Sequence, residues 1–260
     1  MQKSKSNIFQ YSFVLSTRYL RTIYAQSLLG FLWLFVRPSI NLFTLLIIAS
    51  VTTKGNANTD FIQIVLSGFL VYDIFSRIVQ HTTTSSVYYK NIVRNVSMPI
   101  FAVPLSGLFV GIAESFPGLL VSFIYLNSKY NINLNGLISG IITPVLVSAI
   151  LAFALGLILA LINIWIRDVK NSIGIVLQSF MYICPVAYLP SEIPNAIKWI
   201  NAYNPLCYLI SSTRKEILNL QSKYVIENLN HPMIFLIISS CLIAFIFYKR
   251  TAKYIPEIIW

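Results

Sequence analysis

Charge is what this sequence has least of. Asp, Glu, Lys and Arg make up 10% of its 260 residues, where soluble domains carry about 25%. So few charges cannot clothe a water-facing surface, and 57% of the residues are hydrophobic. Lipid must cover much of what water usually covers, which excludes an ordinary soluble domain. Acids are the scarcer sign: 8 stand against 19 Lys and Arg, for a net charge of +11. In a soluble chain that excess would suggest nucleic acid. Here the basic residues sit at the ends of apolar runs, so the positive-inside effect accounts for them and no nucleic-acid partner is expected.

Other absences exclude chemistry. The three cysteines, Cys184, Cys207 and Cys241, are odd in number and form no C-x-x-C pair, so no disulfide framework is expected. Two readings remain: inert apolar thiols, or one Cys184–Cys207 bridge near the outer face. The two histidines, His81 and His231, lie far apart at expected span ends; each reads as structural, and no metal site is expected. No G-x-x-x-x-G-K-[ST] occurs, so the chain has no phosphate-cradling loop of its own. No H-E-x-x-H or G-x-S-x-G occurs either, and an enzyme is not expected. No cleavable signal peptide is expected, since Arg18 and Arg21 interrupt the first apolar run. Repeats, low-complexity tracts and flexible linkers are also missing, so 1–260 reads as one membrane domain.

What is present is a series of apolar runs. Residues 1–29 mix Lys3, Lys5, Arg18 and Arg21 with Phe9, Phe13, Leu20 and Tyr24 at roughly helical spacing. This predicts an amphipathic helix lying in the membrane surface. Six apolar segments follow, at about 31–53, 61–80, 99–126, 141–166, 172–189 and 232–248. Pro104 and Pro117 interrupt the third. Each segment suffices to cross a core of about 30 Å as a helix, and the runs are too long for barrel strands. The predicted fold is all-α with six transmembrane helices: spans one to five over 31–189, an outer segment at 190–230, and span six at 231–250. With the N-terminus inside, twelve Lys and Arg fall on the inner side and six on the outer, four of these in the long outer segment. Both termini are therefore expected to be cytoplasmic. In 190–230, short semi-apolar runs between Pro190, Pro194 and Pro205 fit short helices dipping back into the outer interface; the bland alternative is a folded loop on lipid.

A charge inside a span costs about 2.5–3.5 kcal/mol or more, so each needs a reason. Asp73 and Arg77 stand at i,i+4 and can neutralise each other, as a structural couple or as part of a polar interior. Glu114 has no acid or histidine beside it within its own span and reads as structural or pathway-lining. Nearby, Gly107 and Gly111 suggest close helix contact. Aromatic residues make up 14%. Tyr24, Trp165, Tyr188, Trp199 and Tyr248 fit interfacial belts. Trp33, Phe35, Tyr72, Phe180 and Tyr182 lie in spans or at their entrances, where packing is the plainer role. The sharper one is lining a path on which flat rings stack against sugars without fixing them.

The run from Arg21 to Trp33, R-T-I-Y-A-Q-S-L-L-G-F-L-W, is followed by Arg37-Pro38. It resembles the R-x-R-Y-x-x-S-x-L-G-x-x-W opening of permease subunits of bacterial polysaccharide ABC exporters. Thr22-Ile23 stands where many members carry a second basic residue. Asn163-Ile-Trp165-Ile-Arg167-Asp168 is similar to that family's inner turn, and Pro185-Val186-Ala-Tyr188 and Asn204-Pro205 to its outer segment. The resemblance implies a homodimer of permeases with two copies of a separate ABC ATPase that binds ATP and Mg. It implies export of an undecaprenyl-linked or other lipid-linked polysaccharide, O antigen before teichoic acid or capsule, across the bacterial cytoplasmic membrane. Coupling to the ATPase would fall to Tyr88, Tyr89, Lys90, Asn91, Arg94 and Asn95 in the 86–98 loop, and to Arg167 and Asp168. Contact with the substrate's phosphate head would fall to Arg18, Arg21 and Arg37. Channel lining would fall to Trp33, Phe35, Tyr72, Phe180, Tyr182 and Glu114, and an outer gate to Ile193, Trp199, Ile200 and Tyr203. Competing readings are a drug or lipid efflux permease of the same superfamily and a membrane enzyme or scaffold.

Overall fold

The computed structural model describes residues 8–25, 28–52, 59–95, 98–188, 204–218 and 232–251. Among them all regular structure is helical. The elements are α1 (Ile8–Tyr24), a 3-10 turn (Gly30–Leu32), α2 (Trp33–Thr52), α3 (Thr59–Tyr88) and α4 (Lys90–Asn95). Then come α5 (Ala102–Tyr130), α6 (Leu134–Leu137), a π-turn (Ile138–Ile142), α7 (Thr143–Trp165), α8 (Asp168–Ile183), α9 (Pro205–Leu218) and α10 (Pro232–Thr251). Among the described residues, three stretches are long and apolar enough to cross a membrane: Ile62–Tyr88, Ala102–Tyr130 and Leu134–Trp165.

The bundle is organised around α3, which α5 and α7 flank. Residues 63–75 of α3 are buried on every face, as expected of an inner helix apolar all round. Gly107 and Gly111 set the α3–α5 approach. A Cβ on Gly107 would lie 2.6 Å from Thr82 Cα, and one on Gly111 2.7 Å from Ile78 Cα, so the two backbones touch and only glycine fits.

Three expectations change. Helix α3 runs on to Tyr88, past the expected end near 80. Its Thr and Ser residues stay helical because their hydroxyls bond back along the helix: Thr84 Oγ1 to Gln80 O at 3.0 Å, Ser85 Oγ to Thr82 O at 2.7 Å. Helix α5 is unbroken; Pro104 sits in its first turn, where a missing N–H costs nothing. The expected apolar face of α1 splits. Phe9 and Phe13 point outward, while Ser12, Leu15, Ser16 and Tyr24 are buried, and α1 packs on α5.

Candidate functional site

A polar cleft of about 550 Å³ opens between α2, α3 and α8. Helical spacing builds its walls. Asp73, Arg77 and Gln80 recur at i, i+4 and i+7 on α3; Asn171, Gln178 and Tyr182 share one face of α8; Asn41 and Thr44 face them from α2,. The Tyr72 hydroxyl is spent on the Leu177 carbonyl, which fixes α8 against α3.

Behind the Arg77 wall lies a buried ion cluster. Arg77 Nε donates to Asp73 Oδ1 at 3.4 Å, and Nη1 to Glu114 Oε2 at 3.5 Å. His81 Nε2 meets the same Glu114 oxygen at 3.0 Å, and the Tyr24 hydroxyl donates to Oε1 at 2.9 Å. Glu114 is only 3% exposed. An isolated carboxylate could not remain there, but one accepting from an arginine, a histidine and a phenol can. The sequence placed Tyr24 in an interfacial belt and read His81 as isolated; both are part of this cluster. Only tertiary packing shows it, because its members come from α1, α3 and α5.

The cluster continues to the end of the bundle where α4 lies. Arg37 stands over the Tyr24 ring, 5.9 Å from its centre. Tyr19 packs edge-on against His81 and Tyr88, with ring centres 5.6 and 4.7 Å apart. Burial first, then the Glu114 carboxylate, pushes the Tyr19 phenol up to about 12, so it packs as a neutral ring. Tyr89 is buried and donates its hydroxyl to Leu15 O at 2.8 Å. A second fastener ties the two turns at this end. Asn163 Nδ2 donates to Thr83 O at 3.0 Å, and Asn163 Oδ1 accepts from the Lys170 N–H at 2.9 Å. Asn163, part of the inner-turn motif, thus joins α7 to both α3 and α8.

At the opposite end, Arg214 of α9 is 0% exposed. It donates to Ile64 O at 3.0 Å, Ser67 Oγ at 3.3 Å, Val186 O at 2.9 Å and Tyr188 O at 3.1 Å. Gly68 permits this, since a Cβ there would lie 2.6 Å from Val186 O. The sequence counted Arg214 merely among outer basic residues. Its signal was there: Arg214 shares a helical stripe with Leu206, Ile210 and Ile217, the apolar face of α9,. Cys184 and Cys207 are buried at this end as free thiols, and Asn204 Nδ2 donates to Cys184 Sγ at 3.3 Å.

The other sequence-named residues fall as follows. Tyr72 and Tyr182 line the cleft, Tyr72 almost wholly buried and Tyr182 47% exposed. Phe180 lines a separate apolar pocket between α3, α7, α8 and the start of α9. Phe35 faces outward on α2, Trp33 is half-buried, and Glu114 sits one layer behind the cleft. Arg18, Arg21 and Arg37 are exposed, as are Tyr88, Asn91, Asn95, Arg167 and Asp168; Lys90 is half-buried, and Arg94 lies in α4. Ile193, Trp199, Ile200 and Tyr203 lie outside the described residues.

Residues 10–218 match the family model for the ABC-2 type transporter. The chain belongs to that family. It is thus the membrane component of a transporter and an integral membrane protein. This ABC-2 protein is 20% identical over 219 residues to the O-antigen export system permease protein RfbA of Klebsiella pneumoniae, covering 84% of each chain. It is 28% identical over 203 residues to the protein of the same name from Myxococcus xanthus, covering 75% of each. The matched range runs from within α1 to the end of α9, and so takes in the cleft, the ion cluster and the Arg214 site.

Proposed function

We propose that this chain is the channel-forming subunit of an ATP-driven exporter of lipid-linked polysaccharide in the bacterial cytoplasmic membrane, with O antigen the first candidate cargo and teichoic acid or capsule next. The observation that carries this is the cleft: a polar wall along α2, α3 and α8 of the helical bundle. Half a conduit on one face fits a homodimer in which a second copy supplies the other half. The names of the relatives support the cargo class.

In this reading 1–260 is one permease domain with six spans: α2, α3, α5, α6–α7, α8 and α10. Helix α1 lies in the inner interface, and residues 190–230, with α9, form the outer gate. Both termini are cytoplasmic. Two copies of an ABC ATPase bind ATP and Mg and press on α4 and on the turn at Arg167 and Asp168. Their motion reaches the cleft through named contacts: Tyr89 to Leu15, Tyr19 to Tyr88 and His81, Tyr24 to Glu114, and Glu114 to Arg77. Arg18, Arg21 and Arg37 stand exposed where a phosphate head would first arrive.

The test is deletion of this chain in its host. Lipid-linked polymer is expected to accumulate inside the cytoplasmic membrane while its synthesis continues, and to be cleared on re-expression. Normal surface polymer in the deletion strain would refute the reading. Loss of drug or lipid efflux instead would favour the competing permease class.

A further inference from the structure

The cleft is polar without carrying surplus charge. Among the described residues that line it, Arg77 and Asp73 are the charged ones. Arg77 is already engaged on both sides, by Asp73 at 3.4 Å and Glu114 at 3.5 Å. Two carboxylates to one guanidinium leave no positive charge to offer, and among the described residues His81 stands near enough to offset the second acid. The rest of the polar wall is neutral and bifunctional. Asn41, Gln80, Asn171 and Gln178 present amides that both donate and accept, which matches sugar hydroxyls. Tyr182, 47% exposed, offers a ring face.

Cations lie outside this wall. Arg37 is four residues before Asn41 on the same face of α2, exposed and resting over Tyr24,. Arg37, with the exposed Arg18, Arg21 and Arg167, suits a phosphate-bearing head arriving at the mouth. None of these arginines lines the cleft, so they do not match charge repeated along a polymer inside it. An anionic repeat unit inside the cleft would be partly desolvated with no cation to pair with, and would face a wall that is net neutral or negative.

We infer that the cleft selects a polymer of uncharged sugar repeats and disfavours polymers carrying a phosphate or uronate in each repeat. The inference rests on the exporter reading above and narrows its cargo: a neutral glycan on a single anionic lipid linker.

The experiment uses the complete exporter, this chain with its ATPase subunit, in proteoliposomes. Two lipid-diphosphate-linked oligosaccharides of equal length are compared, one of neutral hexoses and one with a uronate in every repeat. ATPase stimulation and movement of the glycan into the vesicle lumen are measured. The neutral glycan is expected to act at about tenfold lower concentration. Gln178→Lys places a surplus cation on the exposed cleft wall and should shift the preference toward the uronate glycan by a similar factor, with the thermal midpoint unchanged. Equal or better handling of the uronate glycan by the native exporter would overturn the inference and leave the exporter reading standing. Failure of both glycans to stimulate would overturn the exporter reading and this inference together.

Discussion

The Tyr24 hydroxyl donates a 2.9 Å hydrogen bond to Glu114, 90 residues further along the chain. This bond fastens the end of α1 to the middle of α5, and through Glu114 to Arg77 on the cleft wall. Tyr24→Phe keeps the ring, and its contact with Arg37, but removes the bond. Interhelical bonds of this kind in membrane proteins contribute about 0.6–1.7 kcal/mol. The variant should therefore assemble with a slightly lowered thermal midpoint in detergent, while stimulation of the ATPase by cargo falls severalfold. Unchanged stimulation would remove α1 from the coupling route.

Glu114→Ala leaves Arg77 paired with Asp73 but takes the acceptor from the Tyr24 hydroxyl and from His81, and should destabilise by about 1–3 kcal/mol. Arg77→Met combined with Glu114→Met should cost less than the sum of the two single changes, by about 1–3 kcal/mol. A double-mutant cycle on unfolding in detergent checks this. Strict additivity would mean that the 3.5 Å contact carries no coupling.

Arg214→Lys keeps the charge but loses the planar fork that reaches four acceptors. A loss of about 2 kcal/mol is expected. Gly68→Ala should act alike, by pushing Val186 off α3. Both variants should make the buried Cys207 reactive toward a small thiol reagent, a readout that needs no transport assay. Continued inertness of Cys207 in both would show that Arg214 does not hold this end shut.

Asn163→Ala cuts the link between the end of α3 and the first turn of α8. Trypsin cleavage after Arg167 and Lys170 should rise severalfold, and ATP hydrolysis should become less dependent on cargo. A native digestion pattern would count against it.

Much of the architecture was legible in the sequence because apolar length needs no tertiary information. The helical class, the α1 segment and the close contact at Gly107 and Gly111 all follow from local pattern. The end of α3 did not. A Thr and Ser run from 82 to 86 reads as loop until the helices that bury it are known. The Asp73–Arg77 couple was legible from i,i+4 spacing. Its continuation to Glu114, His81 and Tyr24 was not, since no periodicity links helices of different ranges. Arg214 was legible in principle, as a cation on an apolar stripe, but counting charges by loop hid it.

The four acceptors of Arg214 among the described residues bear on the order in which the chain is made. Ile64, Ser67, Val186 and Tyr188 all precede it in sequence, and an arginine on the apolar stripe of α9 cannot rest in lipid without them. Helix α9 can therefore seat only after α3 and the end of α8 have come together. A bundle misassembled there deprives that arginine of these four acceptors before any cargo arrives.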